Sequence, residues 1–362
     1  MSEQLSQKEL QRYARHLSVA KIGLGGQKKL KQASVLCIGA GGIGSPAILY
    51  LAAMGVGRLG IIDFDHVEIS NLQRQILFTE DECGQSKAAL AGKKATALNS
   101  ALTCLTYHEK LTLKNAETII QDFDIVLDGS DNFSTRYLVN DVCAYLKKPL
   151  ISASILQFSG QLAVFTGESP CYRCVFPEPP PAELAPACSD AGVPGVLPGI
   201  FGTLAVNEVT KLILGLPGLQ NQLAQIDTLN LDINKFNIQA RSDCPVCVKK
   251  TPLIELHPPL TQPNTAGFQL AAETFKQWQA AAKNFTLIDV REDWERAITA
   301  LPNDIHIPLG TFNPADIELP KETTIVVYCR LGGRSNMATQ KLIDAGFTSA
   351  YSLTGGIEHY AD

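Results

Sequence analysis

The stretch Val35-Leu-Cys-Ile-Gly-Ala-Gly-Gly-Ile-Gly44 limits what this chain can fold into more than any other. Its apolar start reads as a buried strand and its glycines as a tight turn. Residues 45–54 then read as a helix, with Pro46 tolerated in the first turn. A strand that enters a helix through glycines leaves backbone N–H groups and the positive helix end free to hold a phosphate. Gly39, Gly41 and Gly44 fit G-x-G-x-x-G, and Asp63 ends the next strand about 20 residues on, where a ribose-binding carboxylate belongs. Dehydrogenases, flavoproteins and nucleotide-activating enzymes share this pattern, so the turn fixes a nucleotide fold without fixing the chemistry.

The surrounding sequence extends that fold. Strands near 35–39, 59–63, 102–107, 124–128 and 149–154 alternate with helical segments, which predicts an α/β, doubly wound, mostly parallel Rossmann-like sheet. Ahead of it, residues 5–17 have helical spacing, with Ser6 as N-cap and Glu9 as its capping-box partner. Further strands are expected at 160–166, 223–230 and 234–240, an apolar helix at 200–214, and a long Pro- and Gly-rich loop at 175–198. At 362 residues the chain has room for a second core. Residues 1–250 are assigned to the first domain and 251–266, with four prolines, to a linker. Residues 267–362 form a smaller α/β domain with strands at 285–290 and 324–329 and helices at 270–282 and 335–345.

A net charge of −5 argues against nucleic acid as the main partner, and no apolar run approaches the ~20 residues of a membrane span. With no signal-peptide pattern at the N-terminus, a cytoplasmic protein is expected. In a reducing compartment ten cysteines point to metal ligation or catalysis rather than to disulfides. Cys171/Cys174 and Cys244/Cys247 are two C-x-x-C pairs, and four thiolates suit a tetrahedral structural Zn²⁺ that ties distant segments together; a redox pair is the alternative. Cys37, Cys83, Cys104 and Cys143 are expected to pack in strands or helices.

Residues that hydride transfer does not require gather downstream of the turn. Asp63 and Asp65 are followed by Ser70-Asn-Leu-Gln-Arg-Gln75, then Lys87, then Asp128-Gly-Ser-Asp-Asn132 at a strand end. Arg74 and Lys87 would neutralise a triphosphate, and Asp131 would hold Mg²⁺ against it, which favours ATP over a nicotinamide cofactor. Gly42, Ser70, Asn71 and Asn132 complete the expected nucleotide-binding set.

Residues 5–250 resemble MoeB/ThiF-type adenylyltransferases, bacterial relatives of the ubiquitin-activating enzymes. Arg12-Tyr-Ala-Arg15, the glycine turn, Asp63-Phe-Asp65, Ser70–Gln75, Gly84-Gln-Ser-Lys87, Asp128–Asn132, Pro170-Cys-Tyr-Arg-Cys174 and the last C-x-x-C carry the likeness. The resemblance implies adenylation of the C-terminal glycine of a small ubiquitin-like sulfur-carrier protein. It also implies a homodimer in which Arg15 reaches the neighbouring subunit's ATP, and a carrier-bonding role for Cys188. The segment Cys329-Arg-Leu-Gly-Gly-Arg-Ser335, with Asp289-Val-Arg291 upstream, resembles a single-domain rhodanese, in which Cys329 would carry a persulfide. Ala300-Leu-Pro-Asn303 departs from that pattern, so an inactive, carrier-binding rhodanese stays open, as does a zinc-containing NAD-dependent oxidoreductase. The resemblance implies activation followed by sulfur transfer to a thiocarboxylate, fed by a persulfide donor such as a cysteine desulfurase. Molybdenum cofactor synthesis, with the molybdopterin synthase small subunit as carrier, leads over thiamine synthesis and tRNA thiolation.

Overall fold

A computed structural model describes residues 4–180, 192–257 and 268–361. The chain divides into two units, Met1–Pro258 and Pro259–Asp362.

In the first unit, β1 (Ser34–Ile38) is buried along its whole length, as a central parallel strand covered on both faces must be. It lies between β2 (Arg58–Ile62) and β4 (Ile125–Asp128), outside which run β3 (Thr103–Tyr107) and β5 (Leu150–Leu156), all parallel. The sheet then continues antiparallel through β6 (Ser159–Phe165), β7 (Gln222–Asp227) and β8 (Asp232–Asn237), giving the order β3-β2-β1-β4-β5-β6-β7-β8. Separate apolar clusters cover the two faces. One is built on α4 (Gly44–Met54), α5 (Lys87–Leu98) and α9 (Val196–Leu214), the other on α6 (Ala116–Ile120) and α7 (Phe133–Leu146). By length and composition α9 could cross a bilayer, but it packs against α4 and β5 as a core helix does.

Three sequence expectations change. The first helix breaks into α1 (Gln7–Arg12) and α2 (Ala14–Leu17) at Tyr13, whose φ of −95° and ψ of 12° leave the helical region. Buried Tyr13 holds that break by accepting a hydrogen bond from Asn99 Nδ2 at 2.9 Å. The capping box stands as expected: Ser6 N–H donates to Glu9 Oε2 at 2.7 Å and Glu9 N–H to Ser6 Oγ at 3.3 Å. Cys83 is exposed rather than packed, because it follows a single 3₁₀ turn at Glu80–Glu82, and Cys104 is half-buried; Cys37 and Cys143 are in the core. Finally, the expected linker begins late. α10 (Leu253–Leu256) sets Leu253 and Leu256 against first-unit clusters, and His257 Nε2 pairs with buried Asp141 at 2.9 Å.

In the second unit, β10 (Thr286–Asp289) and β12 (Ile325–Tyr328) are the buried central strands of a parallel sheet. Its other strands are β9 (Gln269–Leu270), β11 (Asp304–His306) and β13 (Ala350–Leu353), in the order β11-β10-β12-β13-β9. α11 (Ala272–Ala280) and α13 (Gly333–Asp344) fall where helical spacing predicts them, with the short α12 (Asp293–Ile298) between them in the chain and α14 (Gly356–Ala361) after β13.

Candidate active site

The glycine turn leaves β1 through Gly39, whose φ of +87° is a left-handed conformation that L side chains rarely adopt. At Gly44 a Cβ would lie 2.0 Å from the Gly39 carbonyl oxygen, so no larger residue fits the start of α4. In the first turn of α4, Ser45 N–H donates to the Gly41 carbonyl at 2.8 Å and Ala47 N–H to the Ile43 carbonyl at 3.3 Å, and Pro46 has no N–H, so the donors left to a ligand are those of the turn that leads into the helix. Asp63, at the end of β2, closes the loop from below. Its Oδ2 accepts from Ala40 N–H at 2.7 Å and its Oδ1 from Asp65 N–H at 2.8 Å. Burial raises its pKa above the usual carboxylate value in spite of these two bonds. Asp63 therefore shapes the turn.

Several of the other expected residues lie in the loops beside the turn. Lys87 opens α5, is buried, and reaches Asp65 Oδ2 at 3.3 Å. Arg74 Nη1 donates to the Ser70 carbonyl at 3.0 Å, and the Arg74 stem lies beside Gly42, where a Cβ would also meet Pro198 of α9. Ser70 Oγ donates to Glu68 at 3.1 Å. The loop after β4 abuts the turn at the Gly39–Gly129 contact. Within it, Asp131 is exposed, and Asn132 Oδ1 caps α7 by accepting from Thr135 N–H at 2.9 Å. Arg15 is exposed on α2 and makes no ion pair among the described residues. Cys188 lies outside the described residues.

Sequence reasoning gave no role to two neighbours that the geometry singles out. Asp128, fully buried at the end of β4, accepts from Ser130 N–H through Oδ1 and leaves Oδ2 without a partner. Burial raises its pKa, with the nearby Arg136 charge opposing. Gln75, 4% exposed, sets its amide near Gly41 and leaves Oε1 without a partner, as does Asn71 with its buried Oδ1. Native interiors rarely leave such groups unmade. Gln75 and Asp128 lie in the loops beside the glycine turn, and an unpaired buried carboxylate oxygen there fits a cation, while an unpaired amide oxygen fits a hydroxyl or amino donor of a ligand. Only the motif context of Ser70–Gln75 hinted at Gln75; Asp128 looked like a strand end.

Cys171, Cys174, Cys244 and Cys247 form one cluster, their sulfurs all within 4.8 Å of one another. Two cross-pairs lie at 3.7 Å and 3.4 Å, where ~2.3 Å bonds to a tetrahedral zinc would set them about 3.8 Å apart. The donor set thus fits Zn²⁺ with no position left for a substrate. Beneath it Arg173 makes a bidentate pair with Asp141, fully buried, at 2.7–3.0 Å.

In the second unit Cys329 follows β12 directly and is 2% exposed. The Gly332 N–H, at a φ of +100°, donates to its sulfur at 3.1 Å. Both loop arginines are paired: Arg334 with Glu295 of α12 at 2.5 and 2.6 Å, and Arg330 with Glu358 of α14. Asp289 and Arg291 form a buried ion pair at 2.8 Å that ties β10 to the loop after it. His306, on β11, bonds the Arg291 carbonyl at 2.8 Å across the space that follows the divergent Ala300–Asn303 stretch.

Comparison with known proteins agrees with this division. The ThiF family profile matches residues 13–246 and the rhodanese-like domain profile residues 271–362. "Adenylyltransferase and sulfurtransferase MOCS3" of Culex quinquefasciatus is 37% identical over 385 residues, covering 98% of this chain and 87% of that protein. The Xenopus laevis protein of the same name is 38% identical, covering 94% and 82%. "Sulfur carrier protein adenylyltransferase" of Thermus thermophilus is 45% identical over 249 residues, covering 67% of this chain and 92% of that one. Among solved structures, E. coli MccB superposes with a TM-score of 0.57 at 25% identity, covering 68% of this chain and 74% of that chain. The chain belongs to the ThiF family and carries a C-terminal rhodanese-like domain.

Proposed function

We propose that this protein is an adenylyltransferase and sulfurtransferase that activates the C-terminal glycine of a small ubiquitin-like sulfur carrier and converts it to a thiocarboxylate. The observation that carries the first half is the glycine turn, left-handed at Gly39 and closed to any side chain at Gly44, with the unpaired buried oxygens Gln75 Oε1 and Asp128 Oδ2 in the loops beside it. A carboxylate accepts sulfur poorly because its oxygen is a bad leaving group. In-line attack of the carrier carboxylate on the α-phosphorus of ATP expels pyrophosphate and supplies a good one. That step asks for positioning and charge neutralisation rather than a base. Backbone N–H groups of the turn hold the phosphates, Arg74 and Lys87 balance their charge, and Asp63 orients the ribose. Asp128 and Asp131 are the residues that would hold Mg²⁺, which would supply further charge neutralisation when bound. Zn²⁺ on the four cysteines would pin the segment after β6 to the one after β8. Arg15 acts in the partner subunit's site of a cytoplasmic homodimer.

Cys329 supplies the sulfur as a persulfide received from a donor such as a cysteine desulfurase. The carrier that fits first is the molybdopterin synthase small subunit; thiamine-synthesis and tRNA-thiolation carriers would undergo the same chemistry. The test is carrier-dependent ATP–pyrophosphate exchange together with mass spectrometry of the carrier C-terminus. Cys329→Ser should keep exchange and stop thiocarboxylate formation. Absence of carrier-dependent ATP–pyrophosphate exchange, or sulfur transfer that survives Cys329→Ser, refutes the corresponding half.

A further inference from the structure

Charged groups near Cys329 are already spoken for. Arg334 is bound by Glu295, Arg330 by Glu358, and Arg291 by Asp289, so each positive charge is balanced beside the loop. What touches the sulfur is the Gly332 N–H at 3.1 Å and a hydroxyl, Ser335 Oγ, at 3.5 Å. Ser335 is fully buried in the first turn of α13. Its Oγ also lies 3.0 Å from the Gly332 carbonyl and 2.8 Å from Ser352 Oγ on β13, itself 1% exposed.

The three contacts give Ser335 two complete proton arrangements. With Cys329 as a thiol, S–H donates to Ser335 Oγ, and Ser335 O–H donates to the Gly332 carbonyl. With Cys329 as a thiolate, Ser335 turns its proton to the sulfur and Ser352 donates to Ser335 Oγ in turn. The Gly332 carbonyl is not stranded by the change, because Asn336 N–H donates to it at 3.0 Å. Rotation of two hydroxyl protons thus serves both states with no heavy atom displaced.

We infer that Ser335 is a catalytic residue of sulfur transfer, donating a hydrogen bond to the Cys329 thiolate, and that Ser352 is the positioning residue that makes this donation possible. The inference rests on the reading of Cys329 as the sulfur acceptor. In the step concerned, the Cys329 thiolate attacks the terminal sulfur of a persulfide R–S–SH. A new S–S bond forms between Cys329 Sγ and the terminal sulfur, the donor's own S–S bond breaks, and R–S⁻ departs with the electron pair. Ser335 stabilises the charge on Sγ before attack, and again when the sulfur passes to an acceptor thiolate and Sγ leaves as the anion.

The test uses the full-length protein and cysteine persulfide as donor. Loading of Cys329 is timed by the mass gain of one sulfur, and the pH dependence of iodoacetamide alkylation is read on the Cys329 peptide. Ser335→Ala should slow loading about tenfold and move the alkylation midpoint up by about one pH unit, the loss expected for a hydrogen bond to a charged group. Ser352→Ala, which leaves Ser335 in place, should move the midpoint in the same direction by less. Fluorescence of Trp278 and Trp294, the two tryptophans of the chain and both in the second unit, checks that each variant is folded. A folded Ser335→Ala with the wild-type midpoint and loading rate overturns the catalytic role, and an unmoved Ser352→Ala overturns the positioning role. Wild-type protein that takes no sulfur from the persulfide overturns the sulfurtransferase reading itself, and this inference with it.

Discussion

Gln75 offers a prediction in which stability and function move in opposite directions. Its Oε1 is buried with no hydrogen-bond partner among the described residues, and an acceptor left in that state costs about 1–3 kcal/mol. Gln75→Met keeps the length and flexibility of the side chain and removes the polar end. The nucleotide-free protein should therefore be more stable, not less. For a unit of this size each kcal/mol is worth about 2–4 °C in Tm, so the lower end of that range already gives a rise of a few degrees. The same variant should bind ATP·Mg²⁺ less well. Loss of one hydrogen bond to the ligand, about 0.5–1.5 kcal/mol, raises Kd roughly 2- to 13-fold and shortens the ATP-induced stabilisation by the same free energy at fixed, saturating ATP. Differential scanning calorimetry reads both numbers, since the first-unit transition is the one ATP moves. A lower Tm without nucleotide, or an undiminished ATP shift, would refute the reasoning and return Gln75 to the role of a packing residue.

Other expected outcomes follow from the same geometry. Asp131→Ala and Asp128→Asn should each abolish pyrophosphate exchange; near-normal exchange in either removes that carboxylate from the site. Cys244→Ser should lose zinc by metal analysis and lose stability with it, and tightly retained zinc would break the four-cysteine assignment. In the second unit, burial pushes the Glu295 carboxyl up but its bonds to Arg334 win, and Asp304, bonded to Arg296 and Tyr328, behaves alike, so both pKa values are lowered. A depressed carboxylate stabilises the fold above its unfolded pKa, and the contribution drains away as pH falls through the folded value. Tryptophan fluorescence, which reports on that unit alone, should show acid unfolding beginning below about pH 4.5. Glu295→Gln should weaken the fold at neutral pH and flatten the acid limb; an unchanged profile would mean that the Arg334 pair contributes nothing.

Where local pattern decides structure, the sequence sufficed. The fully apolar Val35–Ile38 run had to be a central parallel strand, and Ser6 with Glu9 had to start a helix, because both depend on neighbours within a few residues. The motif loops were legible for a different reason: their residue types suit one chemistry only when taken together. What could not be read depends on distant partners. The break at Tyr13 is held by Asn99, and the late start of the linker by Asp141 meeting His257. Asp128 and Asp131 are indistinguishable as letters, and only the fold buries one and exposes the other. The pairing of Arg334 with Glu295, far upstream in the chain, is likewise visible only in the fold.

The two units solve related problems with one backbone device. In each, a buried parallel strand leads through a glycine at positive φ, Gly39 at +87° and Gly332 at +100°, into a helix, so that N–H groups point at a common spot. What differs is whether a side chain of the protein already stands there. The first turn carries glycines at 39, 41, 42 and 44, with Ala40 and Ser45 N–H held by Asp63 and the Gly41 carbonyl, and offers backbone where the second offers a side chain. In the second, Cys329 ends the strand and places its own sulfur against the Gly332 N–H. On the proposed reading, a phosphate that arrives and leaves with each turnover calls for a site built from backbone, whereas a sulfur in transit has to be bonded to the protein and calls for a thiol at the mouth of the turn.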